Sequence, residues 1–120
     1  MKYPIRAAIY CRVAIPDQLS LDRQEQVVCD FAKARGYEIS LITKELCKGT
    51  TMARPGIQRV LADAENGTMD VLLVSSSSRV GRNTIETMRF IRTLGKFGVA
   101  VESVKEGALL DELLDFVENL

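Results

Sequence analysis

Short apolar runs alternate with segments of helical periodicity along the chain, and this alternation limits the choice of fold most strongly. Residues 7–11 and 71–74 are apolar runs of strand length, and 38–44 alternates apolar and polar residues as a strand near a sheet edge does. Residues 99–104 are predicted to form a fourth strand. Helical spacing follows each run. The order predicts an α/β domain in three layers, in which helices flank a mostly parallel sheet of roughly four to five strands.

Helix boundaries can be read from capping residues. Ser20 is the expected N-cap of the first helix, and Pro55 fits the first turn of the second. Asn83 is the expected N-cap of the third helix, with Glu86 in capping-box position. Residues 109–120 form a final amphipathic segment, which predicts a C-terminal helix.

Length and composition indicate one globular domain: 120 residues are 47% hydrophobic, with 16 basic and 16 acidic side chains. That balance argues against a disordered chain and against a uniformly basic protein that coats nucleic acid. No apolar run approaches the roughly 20 residues of a membrane span, and the start lacks a secretory signal, so we expect a cytoplasmic protein without membrane contact.

The charge is unevenly distributed. Residues 1–105, the expected domain, hold 16 basic and 11 acidic residues, a net charge of +5. Residues 106–120 carry five acidic residues and a charge of −5. We expect them to form a C-terminal helix, with the start of a dimerisation helix as one interpretation. The main body is therefore suited to face an anion.

Several kinds of chemistry are excluded by residue content. The chain has three cysteines at wide spacing and no histidine. A disulfide framework and a four-ligand zinc site are therefore not expected. Nucleophile systems of the Ser-His or Cys-His type are excluded, so arginines, carboxylates and hydroxyls must do any chemistry, and we expect no metal or cofactor. Cys11 alternates with its strand neighbour Arg12 and is expected to be a small core residue.

Three polar segments follow the predicted strands, at 12–19, 46–54 and 75–82, where α/β sheets bind ligands. Together these segments hold four arginines: Arg12, Arg54, Arg79 and Arg82. A guanidinium presents a planar fork of donors that matches phosphate oxygens, so four of them on one rim predict a phosphate-binding site. The alternative is that these arginines pair with nearby carboxylates, or lie along the surface, and do nothing else.

Four sequence blocks resemble, in order and spacing, the catalytic domain of the serine recombinase (resolvase/invertase) family, from about residue 6 to 104. The blocks are Tyr10-Cys11-Arg12-Val13, Ser20-Leu21-Asp22-Arg23-Gln24, Arg54-Pro55-Gly56 and Arg79-Val80-Gly81-Arg82-Asn83. The resemblance implies metal-free DNA strand exchange, in which a serine attacks a phosphodiester and forms a phosphoserine link. It also implies dimers that pair into tetramers. It assigns Arg12, Arg54, Arg79 and Arg82 to the scissile phosphate, and Gln24 to the vicinity of the site.

Two positions depart from the family pattern. Ala14 stands where the nucleophilic serine belongs, and a methyl group has no lone pair with which to attack phosphorus. Ser78 stands where the family usually has an aspartate, which removes a carboxylate able to orient an arginine or transfer a proton. We therefore expect a pseudoenzyme.

Three explanations compete for Ala14. An engineered substitution leaves Ser78 unexplained, whereas natural decay into a non-catalytic homologue accounts for both positions and is favoured. A substitute hydroxyl from residues 75–78, Thr50 or Thr51 is disfavoured, because covalent attack needs a geometry that another loop does not reproduce.

The expected role is in DNA recombination or integration by a mobile element, as a decayed or engineered fragment or as a partner that regulates active relatives by mixed assembly. DNA binding is expected to be weak, since we predict no DNA-binding domain after residue 105. One rival is a dimerisation module that binds no DNA. A second rival is a binder of small phosphates or nucleotides through the same arginines. The apolar residues of the last segment suit either a partner or the chain's own sheet: Leu110, Leu113, Leu114 and Val117.

Overall fold

The computed structural model describes residues 4–49, 52–81 and 84–109, which alternate between strands and helices. The elements are β1 (Arg6–Val13), α1 (Gln18–Ala34), β2 (Glu38–Leu46), α2 (Pro55–Glu65), β3 (Val71–Val74), α3 (Ser77–Val80), α4 (Thr84–Lys96), β4 (Ala100–Ser103) and β5 (Gly107–Leu109). None of the helices in these ranges is long and apolar enough to cross a membrane.

The strands form one five-stranded sheet in the order β2-β1-β3-β4-β5. β1 to β4 are parallel, and β5 runs antiparallel to β4. β1 pairs with β2 along its whole length but with β3 only over residues 7–9. The carboxyl end of β1 therefore extends past β3, which leaves one side of that strand end open to other elements. The predicted α/β fold with a mostly parallel sheet is confirmed.

Helices cover both faces of the sheet. On one face, Val28 and Ala32 of α1 pack against the strands, and on the other, Ile57 of α2 and Leu94 of α4 do so. Strands buried on both faces have no solvent side, which explains why β1 and β3 are nearly uninterrupted apolar runs in the sequence.

The start of α1 differs from the prediction. The N-cap is Asp17, whose side chain accepts a hydrogen bond from the Ser20 backbone N–H at 3.0 Å. Ser20 lies inside the first turn, so its prediction as the cap was wrong. The Asp17 carboxylate accepts from a backbone N–H of the first turn, which has no partner within the helix, and this is the role of an N-cap side chain. Asn83, the predicted cap of α4, lies outside the described residues.

β2 is two residues longer than the predicted strand 38–44, because it continues to Leu46. Its last two residues, Glu45 and Leu46, pair with Arg12 and Val13 of β1. β1 continues to Val13, so β2 forms additional backbone hydrogen bonds with it when it continues to Leu46. This extension places Glu45 in a strand beside the polar segment after β1.

The segment after residue 105 begins as a strand. Gly107–Leu109 forms β5, with Ser103 paired to Gly107, so the helix predicted from residue 106 is wrong for these residues. Gly107 has φ of +81°, a backbone conformation that glycine adopts without strain as the chain reverses. Residues 110–120, with their predicted apolar stripe, lie outside the described residues.

Candidate functional site

The carboxyl ends of β1, β2 and β3 bring the predicted polar segments together. Arg12 lies near the end of β1, Arg54 is the N-cap of α2, and Arg79 lies in α3. The Arg12 Nε donates to the Arg79 carbonyl at 3.0 Å, and the Arg79 Nη1 donates to the Arg12 carbonyl at 3.1 Å. The predicted convergence is confirmed for these three arginines, while Arg82 lies outside the described residues.

Arg12 is buried, with 2% of its surface exposed. In addition to its bond to Arg79, its Nη1 donates to the Cys47 carbonyl at 2.8 Å and its Nη2 to the Ser78 carbonyl at 2.7 Å. One guanidinium thus ties the loop after β2 to α3. The guanidinium is enclosed, because carbonyls without strand partners surround it and accept from its donors.

Arg54 is equally buried, at 1% exposure. Its Nε lies 3.3 Å from Glu45 Oε2, and its Nη2 donates to the Tyr10 hydroxyl at 3.1 Å and to the Val80 carbonyl. Glu45 also accepts from the Tyr10 hydroxyl and, at 3.0 Å, from the Gly56 backbone N–H at the start of α2. Arg54 therefore pairs with a carboxylate, one of the two arrangements that the sequence left open for these arginines.

Tyr10 and Glu45 are site residues that sequence reasoning missed. Burial and the hydrogen bond to Glu45 raise the pKa of Tyr10, so its hydroxyl remains protonated and donates to the carboxylate. The sequence did contain a signal for Glu45, which lies nine residues before Arg54. A buried guanidinium requires a counter-charge, so an acidic residue close to this arginine was a candidate partner.

Arg79 differs from the other two arginines. It is half-buried, and its Nε is a buried nitrogen with no hydrogen-bond partner among the described residues. A buried donor without an acceptor costs roughly 1–3 kcal/mol. An oxygen acceptor next to this nitrogen would remove that cost.

Gln24 contacts the backbone of β1. Its Oε1 accepts from the Arg12 N–H at 3.2 Å, and its Nε2 donates to the Arg12 carbonyl at 2.9 Å. The side-chain amide therefore takes the place of a neighbouring strand where β1 extends past β3. Gln24 lies at the site, as predicted, and fixes the strand end that carries Arg12.

The two positions that depart from the family pattern are both exposed. Ala14 lies one residue beyond β1. The Ser78 Oγ pairs with the Ser76 Oγ at 2.8 Å, while its carbonyl accepts from Arg12. Ser78 thus contributes its backbone, and not its side chain, to the arginine cluster.

Charged groups hold both ends of α3. At its start, the Ser77 N–H donates to Glu106 Oε1 at 3.0 Å, and the Ser103 hydroxyl donates to the same oxygen at 2.9 Å. Burial raises the pKa of Glu106, but the hydrogen bonds from Ser77 and Ser103 outweigh it and lower that pKa overall. At the other end, the carbonyls of residues 78–80 accept from Arg12 and Arg54.

Cys11 faces away from this cluster and packs with Ile9 and Val28 beneath α1. Burial is the main cause that raises the pKa of the Cys11 thiol to about 12, followed by the charge of Glu25. The thiol is protonated at neutral pH, and the prediction of a core residue is confirmed. In the described ranges, no three His, Cys, Asp or Glu side chains are grouped to hold a metal ion.

Gly49 packs directly on the guanidinium of Arg12. A Cβ at this position would lie 2.6 Å from Arg12 Nη2. We expect Gly49→Ala to lower the free energy of unfolding, measured in urea, by about 1–3 kcal/mol, since the buried guanidinium has no room to shift. Gly95→Ala in α4 is the matched control, because its Cβ meets nothing within 4 Å and alanine favours a helix. Equal stability of Gly49→Ala and the unmodified chain would contradict this packing.

Comparison with known proteins identifies the family and the fold. The family model described as "Resolvase, N terminal domain" matches residues 7–118. The chain belongs to the resolvase family of serine recombinases. The predicted family resemblance is confirmed, and the described fold is that of a recombinase catalytic domain.

Two curated relatives are resolvases from Escherichia coli. The chain is 29% identical over 108 residues to the transposon Tn2501 resolvase, covering 87% of this chain and 52% of that protein. It is 30% identical over 102 residues to the transposon Tn3 resolvase, covering 85% and 51%. The chain thus spans about half the length of the curated relatives it matches.

Two solved structures have the same architecture. The N-terminal catalytic domain of TP901-1 integrase superimposes with a TM-score of 0.84 at 25% identity, covering 95% of this chain and 94% of that one. The C-terminal catalytic domain of an IS607-like serine recombinase gives a TM-score of 0.79 at 28% identity, covering 96% and 77%.

Proposed function

We propose that this chain is a recombinase catalytic domain that contacts the DNA backbone but does not cleave it, and that it acts within an assembly of recombinase subunits. The observation that carries the proposal is Ala14, exposed just past the end of β1 and two residues from Arg12. A hydroxyl at this position would be the nucleophile of the family, and a methyl group cannot form the phosphoserine link.

We do not expect the hydroxyls of residues 76–78 to replace the missing one. Those of Ser76 and Ser78 hydrogen-bond each other, and Ser77 is held by Glu106 at the start of α3. A nucleophile requires alignment with the phosphorus, and we do not expect a different loop to reproduce the geometry of position 14. The loss of both the serine and the aspartate, at Ala14 and Ser78, favours natural decay over a single engineered substitution.

Arg79 is the proposed contact to phosphate, and Arg82 is expected to act with it. The buried Nε of Arg79 has no acceptor among the described residues, and residues 1–105 carry a net charge of +5. Both features favour an anion. Contacts to phosphate alone position a protein on DNA without selecting a sequence, so we expect weak binding that is independent of sequence.

A second candidate is an interaction module that binds no DNA and assembles with recombinase subunits. The burial of Arg12 and Arg54 favours it, because their donors already serve the protein's own carbonyls and Glu45. Such a module would keep these arginines for stability alone.

Salt-dependent DNA binding separates the candidates. We expect fluorescence anisotropy to show duplex binding at low salt, with an affinity that falls as salt rises. Arg79→Ala should weaken binding at every sequence and reduce the slope of log K against log salt by about 1. Arg59→Ala is the control, since Arg59 is exposed on α2 and lies near Asp63.

Two outcomes would contradict the proposal. The absence of duplex binding at low salt would favour the interaction module. Tighter binding of mononucleotides than of duplex would favour a site for small phosphates.

A further inference from the structure

We infer that the exposed face of α1 is a self-association surface, on which α1 of a second copy of this chain packs in antiparallel orientation. This inference goes beyond the proposed function, because it concerns a helix face outside the arginine cluster. It requires neither contact with DNA nor the loss of the nucleophile.

The first argument is the apolar surface that α1 presents to solvent. Leu19 and Val27 are 59% and 48% exposed. The opposite side of the helix already packs on the sheet through Val28 and Ala32. α2 differs, because its exposed residues, all within the described ranges, include no large apolar side chain. The domain itself covers one side of α1, so the apolar residues on the second side are stabilised only by a further partner.

The second argument is a charge pattern on this face that complements itself. Arg23 and Asp30 are exposed on the same side of the helix as Leu19 and Ala34. When two identical helices pack antiparallel about a two-fold axis, each residue lies opposite a fixed residue of the other helix, and every contact occurs twice. The register that places Arg23 opposite Asp30 of the second copy also places Leu19 opposite Ala34 of the second copy.

The same register places the two-fold axis between Gln26 and Val27, so Val27 lies beside its own copy. The contact then consists of an apolar centre, an ion pair on each side of it and an apolar contact at each end. A surface whose charges complement themselves fits a second copy of this chain better than an unrelated partner.

The third argument is that the two charges are available for this contact. Neither Arg23 nor Asp30 forms an ion pair with a residue that the structure describes, and Asp30 accepts from the neutral amide of Gln26 at 2.8 Å. By contrast, Glu25 of α1 pairs with Lys44 of β2 at 2.7 Å. Exposed ion pairs between proteins add little affinity, but they fix the register and select against other partners.

Sedimentation velocity measures this association in the absence of DNA. The face of one 17-residue helix is smaller than the roughly 800 Å² per partner of a standard interface, so we expect a dissociation constant between about 10 μM and about 1 mM. Arg23→Glu and Asp30→Arg should each weaken association at least about tenfold, because each places like charges opposite each other. Arg59→Glu, on the exposed side of α2, is the control and should change nothing.

A mixture of the two charge variants tests the register. Each variant repels its own copies, but in a mixed dimer the introduced glutamate lies opposite the introduced arginine, and Asp30 of one chain lies opposite Arg23 of the other. We expect the mixture to associate about as tightly as the unmodified chain, while each variant alone remains monomeric. A mixture that stays monomeric would overturn the inference, as would variants that associate as well as the unmodified chain.

NMR of the unmodified protein locates the surface without any substitution. As the protein concentration rises, amide signals of the exposed residues between 19 and 34 should shift, whereas those of α2 should remain in place. A chain that is still monomeric at about 1 mM, or shifts that leave out α1, would contradict self-association through this face. None of these measurements includes DNA, so a failure of DNA binding would count against the proposed function alone.

Discussion

Arg54→Met is expected to lower the free energy of unfolding by about 3–5 kcal/mol, a large share of the stability of a domain of this size. The substitution removes the cation from Glu45, whose side chain is 11% exposed, and leaves the Tyr10 hydroxyl and the Val80 carbonyl without a donor. Urea denaturation followed by circular dichroism measures the change.

Two further variants make this result specific. Arg59→Met, on the exposed face of α2, should change stability by no more than about 0.5 kcal/mol. The double substitution Arg54→Met with Glu45→Leu should cost less than the sum of the single changes, because no unpaired charge is left behind. If Arg54→Met were as stable as Arg59→Met, Arg54 would not be part of the protein's internal framework.

Ala14→Ser combined with Ser78→Asp is expected to cleave DNA roughly 10²–10⁴-fold faster than Ala14→Ser alone, the range that general acid–base groups contribute. Ala14→Ser restores a nucleophile at an exposed position, so it should fold normally but cleave feebly, since position 78 still lacks a carboxylate. Nicking of supercoiled plasmid at high protein concentration measures both rates.

The outcome distinguishes decay from a single engineered change. Robust cleavage by Ala14→Ser alone would show that Ser78 is no defect and would contradict decay. Equal, feeble rates for the two variants would show that the carboxylate at position 78 has no catalytic part.

The layer architecture could be predicted because it depends on local periodicity. The apolar run in β1 and the proline at the start of α2 both report conformations set by nearby residues. The convergence of Arg12, Arg54 and Arg79 was also predictable, since parallel strands end at the same edge of a sheet.

The detailed chemistry of the cluster was not predictable, because it depends on long-range differences in strand length. β1 extends past β3, and α3 folds over the gap with carbonyls that need donors. The sequence shows that Arg12 follows an apolar run. It does not show that the carbonyls of Ser78 and Arg79 lie within hydrogen-bond distance of the Arg12 guanidinium. The predicted strand 38–44 ended before Glu45 for the same reason, because the residue that pairs with Glu45 is the distant Arg12.

The internal role of the arginines also explains how the motif and the missing nucleophile can coexist. If Arg12 and Arg54 stabilise α3, a chain that no longer cleaves DNA still needs them in order to fold. Ala14 is exposed, so its side chain carries no such requirement. The site can therefore lose its reaction while it retains its architecture.

The formation of a covalent protein–DNA adduct tests the central claim most directly. The unmodified chain and the Ala14→Ser, Ser78→Asp double variant should be incubated with short duplexes of randomised sequence and analysed by denaturing gel and mass spectrometry. We predict a phosphoserine-linked adduct from the double variant and none from the unmodified chain. An adduct from the unmodified chain would show that another hydroxyl attacks phosphorus and would contradict the account.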